Sequence, residues 1–208
     1  MPEPLRPFTS KLVPLPVDNV DTDQIIPARF LKGTSKDGLG EGLFADWRYD
    51  GDGQPKQGFV LNRPEMAGRA VLLAGANFGS GSSREHAAWA LQAVGIKAVL
   101  APLFADIFRN NALKNGLLPV ELPVTDHAEL VAAIEADPDA EVTVDLEAET
   151  VTLPGGRAVG FSVDPFARQM LLDGTDELGY LLSQGGLVAA YEDAHPARVD
   201  TTAPAWGG

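Results

Sequence analysis

Residues 76–87 read Ala76-Asn77-Phe78-Gly79-Ser80-Gly81-Ser82-Ser83-Arg84-Glu85-His86-Ala87, with two glycines, three serines and one arginine in one short stretch. Glycine lets a backbone approach a ligand closely and aim its N–H groups at it. Serine adds hydroxyls that donate and accept, and arginine adds a positive fork shaped for a carboxylate or phosphate. The stretch therefore has the chemistry of an anion site, and its hydroxyls could also move a proton.

Familiar glycine motifs do not fit it. A P-loop needs a lysine that this loop lacks, and a dinucleotide fingerprint needs a third glycine or alanine where Arg84 stands. Gly-x-Ser-x-Gly does not occur around these serines, which disfavours an esterase elbow. Ser82-Ser83-Arg84-Glu85 matches the Ser-x-x-Glu capping box, which predicts a helix from Ser83 to about Val94 with Ser82 as its N-cap. Taken alone, that motif is usually only a cap. Arg84 in a first helical turn would oppose the helix dipole, and it points to an anion shared between the guanidinium and the N–H groups.

A strand is expected before this loop at Ala70–Ala74, and another after the helix at Ile96–Ala101. Strand, helix and strand together imply a right-handed parallel crossover. A helix over Phe104–Asn115, with Ile107, Phe108 and Leu113 inward, leads to a strand at Leu117–Leu122. A first strand is expected over residues 8–17, and a helix capped by Thr125 or Asp126 and running to about Ala136. Residues 142–146 and 150–153 alternate with period two and predict a hairpin, with a further strand at Phe161–Val163. Asp164-Pro165 starts a helix that Gly174 closes, and a short helix follows from Asp176 to Leu182.

Between the first strand and the glycine–serine loop lie a polar turn with Asp18, Asp21 and Asp23, and a long glycine-rich segment at 33–58. The aromatic island Phe44–Tyr49 suggests that this segment is a loop closing over something, with Trp47 and Tyr49 as loop or interface anchors. Residues 194–208 have no pattern and read as a mobile tail behind a single domain, 1–193.

Composition narrows the field further. A net charge of −13 argues against nucleic acid and anionic membrane partners, though it allows a local basic pocket. The absence of cysteine excludes disulfides and any cysteine-ligated cluster or zinc site within this chain. His86, His127 and His195 are too widely spaced to suggest a metal site. The start of the chain lacks a signal-peptide core, and no apolar run nears the ~20 residues of a membrane span, so the cytoplasm is the expected location.

The loop residues, with Asp21-Thr22-Asp23-Gln24-Ile25, Phe104–Ala112, Asn115–Pro119, Val163–Phe166 and Leu171–Asp176, resemble the swivelling domain of the aconitase superfamily. The similarity covers most of residues 8–185 and is greatest to its stand-alone form, the isopropylmalate isomerase small subunits. It implies an α/β swivelling domain of the β/β/α kind, with mixed sheets and helices. It implies a hydro-lyase that works only with a large subunit, and a 4Fe-4S cluster carried by that partner. The cluster's iron would act as Lewis acid on the leaving hydroxyl of a small dicarboxylate. By matching position, Ser82 would be the base, Arg84 the carboxylate partner, Ser83 a second contact to that carboxylate, and Asp23 an active-site residue. His86 reads as structural. An isopropyl side group calls for apolar neighbours, for which Ile26, Leu31 and Leu39 are candidates. Lys32 and Lys36 would instead suit an additional carboxylate, as in homoaconitase-like or methylmalate-type enzymes. A non-catalytic anion-binding or regulatory module is the reading from a different class.

Overall fold

The computed structural model describes residues 3–31 and 38–195. The strands are β1 (Phe8–Leu15), β2 (Val71–Ala74), β3 (Ala98–Ala101), β4 (Leu118–Glu121), β5 (Glu141–Asp145), β6 (Thr150–Thr152) and β7 (Ala158–Gly160). The helices are α1 (Thr22–Ile25), α2 (Leu39–Gly42), α3 (Ala45–Arg48), α4 (His86–Ala93), α5 (Asp106–Lys114), α6 (Val124–Ala136), α7 (Pro165–Asp173), α8 (Glu177–Ser183) and α9 (Gly185–Ala194).

All seven strands join one mixed sheet in the order β4-β3-β2-β1-β5-β6-β7. β1 is the seam. Its second half, Leu12–Leu15, pairs parallel with β2, while its first half, Phe8–Lys11, pairs antiparallel with β5. β2, β3 and β4 continue in parallel, and β5, β6 and β7 form an antiparallel meander.

Side chains alternate between the two faces, as the strand period requires. Val13, Leu15, Leu72, Ala74, Val99 and Ala101 enter a core with α4 and the aromatic side of α5. Leu12, Val71, Leu73, Ala98, Leu100 and Leu118 face the other way, against α6 and α7. A parallel sheet covered on both faces needs continuous apolar runs, and β2 and β3 are buried at every position.

Several expectations shift. Ile107 is 50% exposed; the buried face of α5 is Phe108, Ala112 and Leu113. The last strand is Ala158–Gly160 rather than Phe161–Val163. Gly155 and Gly156, with φ of 92° and 88°, turn the chain back immediately after Leu153, and Gly156 N–H bonds to Leu153 O. The glycine-rich segment is more ordered than its composition suggests. From residue 38 onward it forms α2 and α3 and is pinned by Leu43 and Phe44, both fully buried. Trp47 stacks on Phe44, with ring centroids 5.5 Å apart, and meets Phe59 edge-on. Trp47 is thus an anchor for the loop. α9 is a helix that Gly185-Gly186 conceals in the sequence. Residues 196–208 of the expected tail, and Lys32 and Lys36, lie outside the described residues.

Candidate active site

The loops that follow β1 and β2 leave the sheet side by side at the carboxyl ends of these strands, where ligands bind in open α/β sheets. They stay zipped together. Ala76 N–H donates to Asp18 Oδ1 at 2.7 Å and Asn19 N–H to Ala76 O at 2.8 Å. Gly79 N–H donates to Val20 O at 2.7 Å, and Thr22 N–H to Ser80 O at 2.8 Å. Asn19 and Asn77 both adopt left-handed backbone, φ 57° and 56°, and their side-chain amides bond to each other at 2.9 Å. Asparagine tolerates that conformation better than other residues with a side chain. Behind the loop, His127 Nε2 lies 2.7 Å from Ala74 O, at the end of β2. A carbonyl only accepts, so this nitrogen carries the proton.

Gly79 has φ 81°, and a Cβ there would sit 2.2 Å from the Phe108 ring. Phe108 in turn packs edge-on against Phe78, 5.2 Å between centroids. Only glycine lets the loop lie this close to α5. Gly81, φ 99°, rests over Thr22 Oγ1.

Ser82 is not the N-cap of α4. The helix begins at His86 behind Glu85, and Glu85 makes no side-chain cap bond. The turn keeps residues 82–84 out of the helix: Ser82 N–H bonds to Thr22 Oγ1 at 3.1 Å, and Arg84 N–H to Ser82 O at 2.9 Å. The correction matters chemically, because capping does not consume the Ser82 oxygen. That oxygen lies 3.3 Å from Thr22 Oγ1 on an exposed residue.

Arg84 likewise lies ahead of the helix rather than in its first turn. Its charge is met by Asp23. The guanidinium grips both carboxylate oxygens: Nη1 reaches Oδ1, and Nη2 reaches Oδ2 at 3.0 Å. The arginine side chain is 21% exposed and the aspartate 59%. Of the three aspartates in the first loop, the other two bind backbone N–H groups. Asp18 holds Ala76 N–H, and Asp21 caps α1 in a reciprocal capping box with Gln24. Of the three, Asp23 is the one that pairs with a side chain of the second loop.

The structure thus brings Ser82, Arg84, Asp23 and Thr22 together, with Ser83 exposed beside them. Ile26 and Leu39 sit in the core, 0% and 4% exposed, so of the three apolar candidates only Leu31 keeps accessible surface. The His86 ring packs over Trp89, centroids 4.6 Å apart. Thr22 escaped the sequence reading as a site residue. Its signal is the polar residue beside Asp23 in an otherwise turn-forming run.

A fold of this kind, with a glycine–serine loop opposite an acidic loop, is that of a known class. The description "Aconitase C-terminal domain" matches residues 5–125, and "LeuD_N" matches residues 128–165. The chain is 57% identical over 201 residues to the 3-isopropylmalate dehydratase small subunit of Roseiflexus sp. strain RS-1, covering 97% of this chain and 98% of the relative. It is 58% identical over 199 residues to the protein of the same name from Chloroflexus aurantiacus, covering 96% and 99%. To that of Anaeromyxobacter dehalogenans it is 60% identical over 190 residues, covering 91% and 97%. A crystal structure of 3-isopropylmalate dehydratase from Methanocaldococcus jannaschii superposes with a TM-score of 0.63 at 28% identity, covering 89% of this chain and 99% of that one. The chain belongs to the aconitase C-terminal domain family and, within it, to the 3-isopropylmalate dehydratase small subunits.

Proposed function

We propose that this chain is the small subunit of a hydro-lyase that converts 2-isopropylmalate to 3-isopropylmalate in leucine biosynthesis, by removing water and adding it back in the other sense. The near full-length identity to small subunits of that name carries the reading. The thiolates that a 4Fe-4S cluster requires have no source in a chain without cysteine. We assign the cluster to the large subunit, where it would supply the Lewis acid for the leaving hydroxyl.

Ser82 Oγ, as alkoxide, takes the proton from the carbon next to a carboxylate. The new O–H bond forms from the oxygen lone pair, the C–H pair becomes the second bond of the C=C as the neighbouring C–O bond breaks, and the oxygen departs with that bond's pair as hydroxide, which protonation turns into water. Arg84 pairs with the substrate carboxylate and stabilises the charge that builds there. Two of its five N–H donors are engaged by Asp23, and among the described residues the other three have no hydrogen-bond acceptor and are available for that task. Asp23 acts by fixing the guanidinium, since two carboxylates in direct contact would repel. Ser83 contributes a second contact to the same carboxylate, and Leu31 lies against the isopropyl group.

An open site suits a two-subunit enzyme, because the partner supplies the missing wall and excludes water. Leu178, Leu181, Leu182, Leu187 and Tyr191 on α8 and α9 are each at least 63% exposed, as an interface awaiting a partner would be. Among the described residues no helix is long and apolar enough to cross a membrane. We place the assembled enzyme in the cytoplasm.

The test is reconstitution. The chain is mixed with a cluster-bearing large subunit, and the unsaturated intermediate is followed spectrophotometrically with isopropylmalate and with homocitrate. Turnover of isopropylmalate by the pair, and by neither subunit alone, is expected. Turnover by the isolated chain, or a preference for homocitrate, would overturn the reading.

A further inference from the structure

We propose that Thr22 is a positioning residue for the reaction: its hydroxyl holds the Ser82 side chain toward the substrate and donates to the oxygen when that oxygen is charged. The inference rests on the reading of Ser82 as base and names the group that makes such a base workable.

The argument is a proton inventory. Among the described residues Thr22 Oγ1 has two hydrogen-bond partners, the Ser82 N–H at 3.1 Å and the Ser82 Oγ at 3.3 Å. The N–H can only donate, so it uses an acceptor lone pair of Thr22. The single hydroxyl proton of Thr22 is left with one protein acceptor, Ser82 Oγ. A neutral serine could donate in return, but an alkoxide can only accept. Charging Ser82 therefore fixes the direction of the bond, and bonds to a charged oxygen shorten and strengthen.

Thr22 is held well enough to do this. It is 1% exposed. Its own N–H is tied to Ser80 O at 2.8 Å, and its carbonyl accepts from Ile26 N–H at 2.9 Å. Its backbone is thus fixed by the loop on one side and by α1 on the other, while Gly81 passes closely over the hydroxyl with nothing larger to push it aside. A hydroxyl that is buried, rigid and aimed at an exposed nucleophilic oxygen is a preorganised donor, which needs no reorganisation when charge appears.

Thr22→Val keeps the shape and removes the hydroxyl, Thr22→Ser keeps the hydroxyl, and Thr22→Ala removes both hydroxyl and methyl. Each variant is assayed as the reconstituted two-subunit enzyme, with Ser82→Ala and the double variant Thr22→Val/Ser82→Ala beside it. Losing one hydrogen bond to a charged group should lower kcat about tenfold to a hundredfold, with KM little changed. The rising limb of the kcat–pH profile should move toward alkaline pH in Thr22→Val and Thr22→Ala, and stay in place in Thr22→Ser. In the Ser82→Ala background, Thr22→Val should change nothing further. If Ser82→Ala is inactive while Thr22→Val and Thr22→Ala retain the wild-type kcat and pH profile, the role of Thr22 is overturned and the base survives. If Ser82→Ala itself turns over normally, the base assignment falls. A Thr22→Ser enzyme as impaired as Thr22→Ala would show that the methyl group matters rather than the hydroxyl, and would also overturn the proposal.

Discussion

On the parallel side of β1, the strands are buried at nearly every position, and the connections between them are long. On its antiparallel side, β5, β6 and β7 alternate buried and accessible residues and are joined by tight turns. Glu149, φ 52°, and the pair Gly155 and Gly156 make those turns with hardly a residue to spare. The contrast shows where function can live. Strands covered on both faces have no side chain to offer a substrate, so chemistry is confined to what emerges at their carboxyl ends. A meander has no such emerging loops, and its work here is to pair with Phe8–Lys11 and hold the seam strand in register. Ser82, Arg84, Asp23 and Thr22 all leave from the parallel side.

Substitutions on the two sides should therefore fail differently. The largest combined effect is expected for Gly79→Ala, which drives a methyl group into the Phe108 ring at a left-handed backbone position. Strain and overpacking should cost about 2–5 kcal/mol, and kcat should fall well below the melting temperature because the loop is displaced. Thermal melting and kinetics on the same sample check both. Leu153→Ala, on the antiparallel side and 2% exposed, should cost a similar 2–5 kcal/mol by cavity formation. Its kcat at low temperature should match the unaltered enzyme. A kcat loss there would erase the distinction between the halves.

Arg84→Lys keeps the charge and removes the fork that holds Asp23. A fall in kcat/KM of about tenfold or more is expected, with the melting temperature almost unchanged, since a partly exposed pair contributes only ~0–1 kcal/mol. The smallest effect belongs to the antiparallel side. The Lys11 ammonium, through its hydrogen bond and its charge, holds the Asp139 carboxyl below its ordinary value of 3.8. A lowered carboxylate stabilises the folded state fully above that ordinary value and loses the contribution as pH falls through the lowered one. The melting-temperature difference between the unaltered chain and Asp139→Asn should be small and flat from neutral pH down to about 4, and should disappear in stronger acid.

The same contrast sets how much could be read in advance. Apolar runs at residues 70–74 and 98–101 announce buried parallel strands, and Asp164-Pro165 with Gly174 marks α7 at both ends. The residue types of the glycine–serine loop alone give the expectation of an anion site. What does not show is which groups meet. Ser82 fits a capping box in sequence, yet the bond from its N–H to Thr22, 60 residues away, prevents the helix from starting there. The Arg84–Asp23 pair spans 61 residues and follows from the backbone zipper between two loops, which no local pattern encodes. Ile26 is an apolar candidate for contact with an isopropyl group, but the end of α1 turns it into the core beside Gly42. β7 shifts because two glycines close the turn sooner than the apolar residues suggest.

The central claim is that Ser82 is the base of an active site completed by another subunit. Its most direct test is the turnover of isopropylmalate by the Ser82→Ala chain reconstituted with an unaltered large subunit, with association measured on the same preparation by titration calorimetry. The account predicts unchanged association and a loss of turnover of about a hundredfold to ten-thousandfold. Unchanged association with near-normal turnover would contradict it.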